Sequence, residues 1–184
     1  MEETEHTYFS AFLLITKAIN SSLDLSEVLR LIVQNTCETT GSKGCTLMLL
    51  DEAGETLEVK LSYGLSDHYI GKGPLSADKS ISDTLKGKPV IIEDATSDPR
   101  LQYPQEAKRE GIASIISVPI IFRERIMGVL RLYTSVPCRF SEDDIDFLSA
   151  IGMQSGLAIE NARRYERVRS NCGKGIASSA SRVE

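Results

Sequence analysis

The residue types that most invite a chemical reading lie between positions 73 and 80. Gly73-Pro-Leu-Ser-Ala-Asp78-Lys79-Ser80 nearly spells a phosphate-binding loop that enters a helix. The second glycine of such a loop is replaced by Asp78. Its carboxylate repels phosphate, and its side chain blocks the close backbone approach the motif needs. Nucleotide hydrolysis is not the expectation here. A helix beginning at Ser80 would still offer the free N–H groups of Ile81 and Ser82, and helix N-termini favour anions. Lys79 adds charge, and Ser80, Ser82 and Thr84 add hydroxyls. The plainer reading is a self-capped helix, in which Ser80 uses those donors and Asp83 brings its own negative charge.

The other candidates are thinner. His68 stands beside Asp67, a pairing open to a haem ligand or a general base. No second histidine falls in the expected core, and His6 belongs to the N-terminal helix, so His68 reads as a solvated loop side chain. Cysteines at 37, 45, 138 and 172 show no CxxC spacing, and with two histidines they make a poor metal set. Cys37 lies on a helix stripe and Cys45 in an apolar strand, where cysteine behaves as a small hydrophobe. The plain reading is reduced thiols in a cytoplasmic protein, with no metal and no cofactor.

Composition sets the frame in which such residues must act. The chain has 184 residues, 41% of them hydrophobic and 26% charged, with a net charge of −5. That suits one globular domain. It speaks against a nucleic-acid binder, which needs a basic footprint. The apolar runs are too short to span a bilayer. Glu2, Glu3 and Glu5 stand where a secretory signal would be basic.

Periodicity supplies the elements. Phe9, Phe12, Leu13, Thr16 and Ile19 recur at helical spacing over about 4–20. Asp24, three residues before Glu27, has the capping-box pattern of a second helix, whose stripe is Leu25, Val28, Leu29, Ile32, Val33, Thr36 and Cys37. Cys45–Leu50 reads as a strand covered on both faces. Thr56–Tyr63 alternates, with Leu57, Val59, Leu61 and Tyr63 on one face, and the acidic turn between the two makes a hairpin. Residues 64–78 read as a loop, Ser80–Lys86 as a short helix, and Val90–Glu93 as a strand. A polar loop over 94–104 and a helical turn over 105–110 follow. Ile112–Phe122 and Ile126–Thr134 are two more strands, with Pro119 at a bulge or edge. Ser141 and Asp144 start a long helix running to about Arg169. Its stripe Leu148, Ile151, Ser155, Ala158, Ala162 and Tyr165 forms a heptad-like seam. A second stripe, Ile145, Gly152, Gly156 and Ile159, is small enough to lie against a sheet. Residues 1–169 are thus expected as one domain, and 170–184 as a disordered tail or linker. The order predicts an α+β fold around an antiparallel sheet.

At this point the chain resembles a GAF domain, the small-molecule-binding sensor module of signalling proteins, over about 8–165. The resemblance rests on several pieces in order. They are Gly71-Lys72-Gly73, Gly87-Lys88-Pro89-Val90-Ile91-Ile92-Glu93-Asp94 and Asp98-Pro99-Arg100. Ser114-Ile115-Ile116-Ser117-Val118-Pro119-Ile120 with Gly128-Val129-Leu130 follows, and Phe140-Ser141-Glu142-Asp143-Asp144 opens the last helix. It implies a central antiparallel sheet of five to six strands. Terminal helices pack on one face, and segments 64–111 cover a pocket on the other. It also implies sensing and dimeric signal relay, though a fold does not fix a function. The chromophore-attaching cysteine of bilin-binding relatives and the Asn-Lys-…-Phe-…-Asp-Glu signature of cyclic-nucleotide binders are missing. One branch of the family reduces free methionine sulfoxide with cysteines in the pocket loops, but loops 64–80 and 94–111 contain none.

The expectation is therefore a non-enzymatic regulatory sensor of a cytoplasmic signalling system, such as a two-component system, with an unidentified small-molecule ligand. The alternatives are a dimerisation module without ligand and, behind it, a thiol-dependent reductase. The expected ligand-binding residues are Tyr63, Ile81, Ser82, Leu85, Ile91, Tyr103, Ser114 and Ile116, with Leu61 on the same face. Tyr69, Arg100, Lys108 and Arg109 belong to the cover. A parallel or nearly parallel homodimer is expected through the heptad-like seam, joined by Phe9, Phe12 and Leu13, in which charged replacements of Leu148 and Ile151 should give folded monomers unless those side chains are core.

Overall fold

The computed structural model describes residues 2–21, 24–77 and 82–180. Helix α1 is Glu2–Ser21 and α2 is Leu25–Thr39. Asp24 caps α2 as its spacing predicts. One carboxylate oxygen accepts from the N–H groups of Ser26 (2.9 Å) and Glu27 (3.3 Å), satisfying donors that a helix start leaves without a partner. The strands are β1 (Gly44–Leu50), β2 (Thr56–Tyr63), β3 (Leu75–Ser76), β4 (Val90–Ile92), β5 (Ser114–Phe122) and β6 (Arg125–Thr134). Two short helices, α3 (Asp67–Ile70) and α4 (Pro104–Glu110), lie among them. The last helix is α5 (Glu142–Ala180). The six strands form one antiparallel sheet in the order β3-β2-β1-β6-β5-β4. This is the α+β architecture expected from the residues.

Several local expectations change. The short helix over 80–86 is described only from Ser82, and there it is a 3₁₀ turn, Thr84–Lys86. Asp83 makes no capping bond, and left-handed Gly87 ends the turn. The loop over 64–78 contains α3 and β3. Helix α5 continues past Arg169, where periodicity fades; no proline stands between 170 and 180 to stop it. Residues 181–184 of the expected tail lie outside the described residues. Pro119 does sit at an edge: β4 reaches only Ser117 of β5, so Pro119 is paired on the β6 side alone.

Both faces of the sheet are buried. On one, α1, α2 and α5 enclose Ile15, Val28, Ile32, Leu47, Leu130 and Ile151. Gly152 and Gly156 press α5 onto β5, as their small size predicts. A Cβ would come within 2.5 Å of the Pro119 carbonyl oxygen at one and 2.3 Å of the Ile121 carbonyl oxygen at the other. The heptad-like seam is not a free surface. Leu148, Ile151, Ser155 and Ala158 are 0–6% exposed, because α1 and α2 pack against them. These four are therefore core, and charged replacements of Leu148 and Ile151 are no route to folded monomers, whereas Tyr165 of the seam and Phe9 and Leu13, expected to join it, are 40–60% exposed.

The opposite face carries the cover. One cluster joins Tyr69, Ile92, Leu101, Ala107, Ile112, Ile115 and Tyr133. A second joins Met48, Leu57, Leu75 and Val129, with Val59, Leu85 and Tyr103 against it.

Candidate functional site

The expected pocket wall is only partly in place. Leu85 and Tyr103 lie on the cover side. Ser82 is half-buried beside the 3₁₀ turn, and Ile81 lies outside the described residues. The other four face away from the cover. Ile91 and Ile116 are register partners whose side chains enter the helix-side core. Tyr63 donates to Glu38 of α2 at 2.8 Å. Ser114 shares the parity of Ile116; its hydroxyl donates to the Glu93 carbonyl (2.7 Å) and accepts from the Cys138 N–H (3.0 Å). Leu61 turns to the helices as well. The register steps from Leu47↔Leu61 to Met48↔Val59, leaving Lys60 as an extra residue that reverses parity along β2. The cover cations are also spent elsewhere. Arg100 pairs with Asp98 and donates to the Ile91 carbonyl (2.9 Å), while Lys108, Arg109 and His68 are exposed.

The polar groups under the cover are different ones. Arg131 occupies the middle of β6, with Thr46 of β1 and Ser117 of β5 as its register partners. All three are about 1% exposed. This row crosses the cover face between the two apolar clusters, with Met48 and Val129 one step to one side and Tyr133 and Ile115 one step to the other. The Arg131 Nε donates to the Ser117 hydroxyl at 2.8 Å, and the Thr46 and Tyr133 hydroxyls share a bond of 3.1 Å. Tyr69 meets Tyr133 edge to face, 5.7 Å between ring centres.

Tyr69 is delivered by α3, whose cap Ser66 accepts from the Tyr69 N–H at 3.2 Å. Three residues on, Lys72 folds back, so that its ammonium lies 3.7 Å over the Tyr69 ring and donates to the Tyr69 carbonyl at 2.9 Å. The Tyr103 ring stands on its other side, 6.0 Å away. Gly73 makes room for this arrangement. Its φ is +114°, which disfavours a side chain, and a Cβ would meet the Tyr103 hydroxyl at 3.0 Å, so that the tyrosine tip would have to give by a few tenths of an ångström. The 3₁₀ turn packs on β5 and β6 and brings Thr84, which is fully buried and whose hydroxyl has no hydrogen-bond partner. Buried polar atoms are seldom left so.

Burial, and then the charge of Arg131, lowers the Lys72 ammonium from the usual 10.5 to about 8. Burial holds the Tyr69 and Tyr133 hydroxyls well on the neutral side. The lysine shift has a sign that can be checked. Between about pH 8 and 10.5 the unfolded chain binds the proton that folded Lys72 has released, so stability rises with pH across that window. Below about 8 the burial penalty is present in full. In urea unfolding at pH 7 and pH 10, wild type should gain on the Lys72→Met variant by about 1–2 kcal/mol, after allowing for screening of a half-buried group. A difference that does not change with pH would show that Lys72 is solvated.

Arg131 and Thr46 did not stand out in the sequence, while Tyr69 reads as part of the cover and Lys72 as part of the Gly71-Lys72-Gly73 piece, without a role at the site. Arg131 left a trace, a single charge in the apolar run Gly128-Val-Leu-Arg-Leu-Tyr133. Among the described thiols, Cys37, Cys45 and Cys138 lack the properties of nucleophiles. Burial raises Cys37 to about 11, Cys45 further, and Cys138 in the same direction, which keeps them protonated. Among the described residues no three potential ligands gather for a metal ion, and no helix is long and apolar enough to cross a membrane.

Comparison with known proteins agrees with this architecture. The Nif-specific regulatory protein of Herbaspirillum seropedicae is 25% identical over 161 residues, 84% of this chain and 29% of that protein. The chain thus spans under a third of that relative's length. The structure is similar to the GAF domain of a phosphoenolpyruvate-protein phosphotransferase from Coxiella burnetii, with a TM-score of 0.78 and 21% identity, covering 89% of this chain and 98% of that one. It is also similar to a free methionine-R-sulfoxide reductase from Neisseria meningitidis (TM-score 0.74, 19% identity, covering 86% and 91%). At these identities the structures speak for the fold. The profile of the GAF domain family matches residues 22–160, well over half of the sequence, and the chain belongs to that family.

Proposed function

We propose that residues 1–169 form the regulatory sensor domain of a cytoplasmic signalling protein, and that a small molecule seats between the cover and the polar row of the sheet. The observation that carries this reading is the buried row Thr46–Arg131–Ser117, roofed by an apolar cover that also buries the partnerless hydroxyl of Thr84. A mostly apolar site with a few converging polar groups is the usual form of a ligand pocket. The same strands carry the terminal helices on their other face. A ligand that orders the cover would bias those helices by its difference in affinity between the two states. The regulatory relative supports this output over catalysis, and the protonated thiols weigh against a reductase.

A dimerisation role has its own support on an exposed face that keeps Phe9 and Leu13 of the expected interface and leaves out Leu148 and Ile151. Phe9, Leu13, Met153 and Leu157 of α1 and α5 are 37–60% exposed. A second copy of the chain is the proposed partner of this face.

The test is a thermal-shift screen of metabolites on the purified chain, followed by hydrogen exchange. A ligand at one hundred times its Kd should add about 2.7 kcal/mol, or about 5–10 °C in Tm. It should slow exchange over 94–111 and in α1 and α5. A screen with no binder, and exchange over 94–111 already as slow as in β5, would overturn the sensor reading.

A further inference from the structure

We infer that the ligand of this site is anionic, and that its carboxylate or phosphate group is taken up by the Lys72 ammonium at the edge of the Arg131 row. The inference rests on the sensor reading and names the chemistry of its ligand. Lys72 is held by contacts that orient its charge without an ion pair to a carboxylate: the face of Tyr69, the Tyr69 carbonyl and, farther off, the Tyr103 ring. Lys72 is half-buried beside the two rings, and partial removal from water strengthens any charge–charge contact made there.

The charges around it have been placed with the same bias. Arg131 stands close enough to oppose the protonation of Lys72, so two cations meet inside the cover. The acids facing Lys72 come from α4, Glu106 and Glu110. Glu110 is shared with other partners: it accepts from the backbone N–H and hydroxyl of Ser66, and Lys43 lies 3.8 Å from it. The tyrosines beside the row are held neutral by burial, so they add hydroxyls and no negative charge. Arg131 is fixed by the Ser117 hydroxyl, which orders the guanidinium before any ligand arrives. Like charges brought together out of water disfavour the closed state. An anion between the cover and the row reverses that sign and gives the cover a reason to close. Thr84, with an unused hydroxyl on the turn above β5 and β6, supplies a neutral donor to the same ligand.

The experiment uses the full chain and matched probes: malonate against malonamide, and adenosine monophosphate with inorganic phosphate against adenosine. Titration calorimetry at pH 7 is run on wild type, Lys72→Met and Lys72→Arg, with folding checked by circular dichroism. At least one anion should bind wild type at least tenfold more tightly than its neutral counterpart. Lys72→Met should lose at least tenfold in affinity for it, and Lys72→Arg should recover most of the loss. Binding by malonate alone assigns a carboxylate, and binding by phosphate or adenosine monophosphate alone assigns a phosphate. Should none of these bind, the charge of whatever compound the metabolite screen returns decides. A neutral ligand, or one indifferent to Lys72→Met, overturns the anionic assignment and leaves the sensor reading standing. A protein that binds nothing overturns both.

Discussion

Ile151→Asp will leave the domain unfolded at room temperature. Ile151 is fully buried, packed among the helix-side core where α1, α2 and α5 meet the sheet. The substitution removes a large apolar side chain and places a carboxylate among hydrocarbon. Losing the side chain costs about 2–5 kcal/mol. Burying a carboxylate without a partner costs several more, or forces local opening. Together these match the whole stability of an ordinary domain, about 5–15 kcal/mol. Circular dichroism should show lost helix and no cooperative melt. Leu157→Asp, at an exposed site 37% open to solvent on the same helix, should leave the fold intact and shift any dimer toward monomer in light scattering. A folded, monomeric Ile151→Asp protein would return the heptad-like seam to the surface and restore the interface its spacing suggests.

Shaving the contact between α5 and the sheet in the opposite sense should be nearly as damaging. Gly152→Ala/Gly156→Ala adds only two methyl groups. In a free helix each exchange stabilises by about 1 kcal/mol, because alanine loses less backbone entropy than glycine. Here each methyl would stand 2.3–2.5 Å from a carbonyl oxygen of β5, and a strand backbone cannot rotate out of the way as a side chain can. The helix must move off the strand by about 1 Å, opening gaps along the whole α5–β5 contact. Overpacking of this kind costs about 1–3 kcal/mol per site, and since both sites press on one strand the effects will not add simply. With contacts this short the gross cost falls in the upper half of that range, about 4–6 kcal/mol for the two sites, and the helix gain of about 2 kcal/mol leaves a net loss of about 2–4 kcal/mol in urea unfolding. A double variant as stable as wild type would mean that α5 rides higher on β5, and that the proposed relay across the sheet lacks its tightest contact. A functional consequence follows from the same geometry. In the proposed relay a ligand-driven change in β5 would reach α5 across a contact whose closest points are these two glycines, so the single variants should also weaken the exchange response of α5 to ligand.

Much of this arrangement was present in the residues alone. Asp24 three before Glu27 marked the start of α2. The acidic turn between two apolar strands marked the β1–β2 hairpin. Gly152 and Gly156, four apart on an apolar stripe, marked the face of α5 that lies on the sheet. Each is a local signal, set by capping, turn chemistry or side-chain size within a few residues. The residues facing the cover were not local in this way. Alternation shows that Ile115 and Ile116 point to opposite faces, but both faces of this sheet are buried, so hydrophobicity is the same on either side and cannot say which face meets the helices. The bulge at Lys60 then reverses β2 between Val59 and Leu61 without a sequence mark of its own. Likewise the seam on α5 was legible as apolar, yet whether a second copy or α1 and α2 would cover it depended on how the chain returned to pack there. Arg131 shows the division most plainly. Its charge amid an apolar run was visible in the sequence, whereas its partners come from β1, β5 and the segment around α3, and only the closing of the sheet under its cover brought Thr46, Ser117 and the Lys72–Tyr69 pair to it.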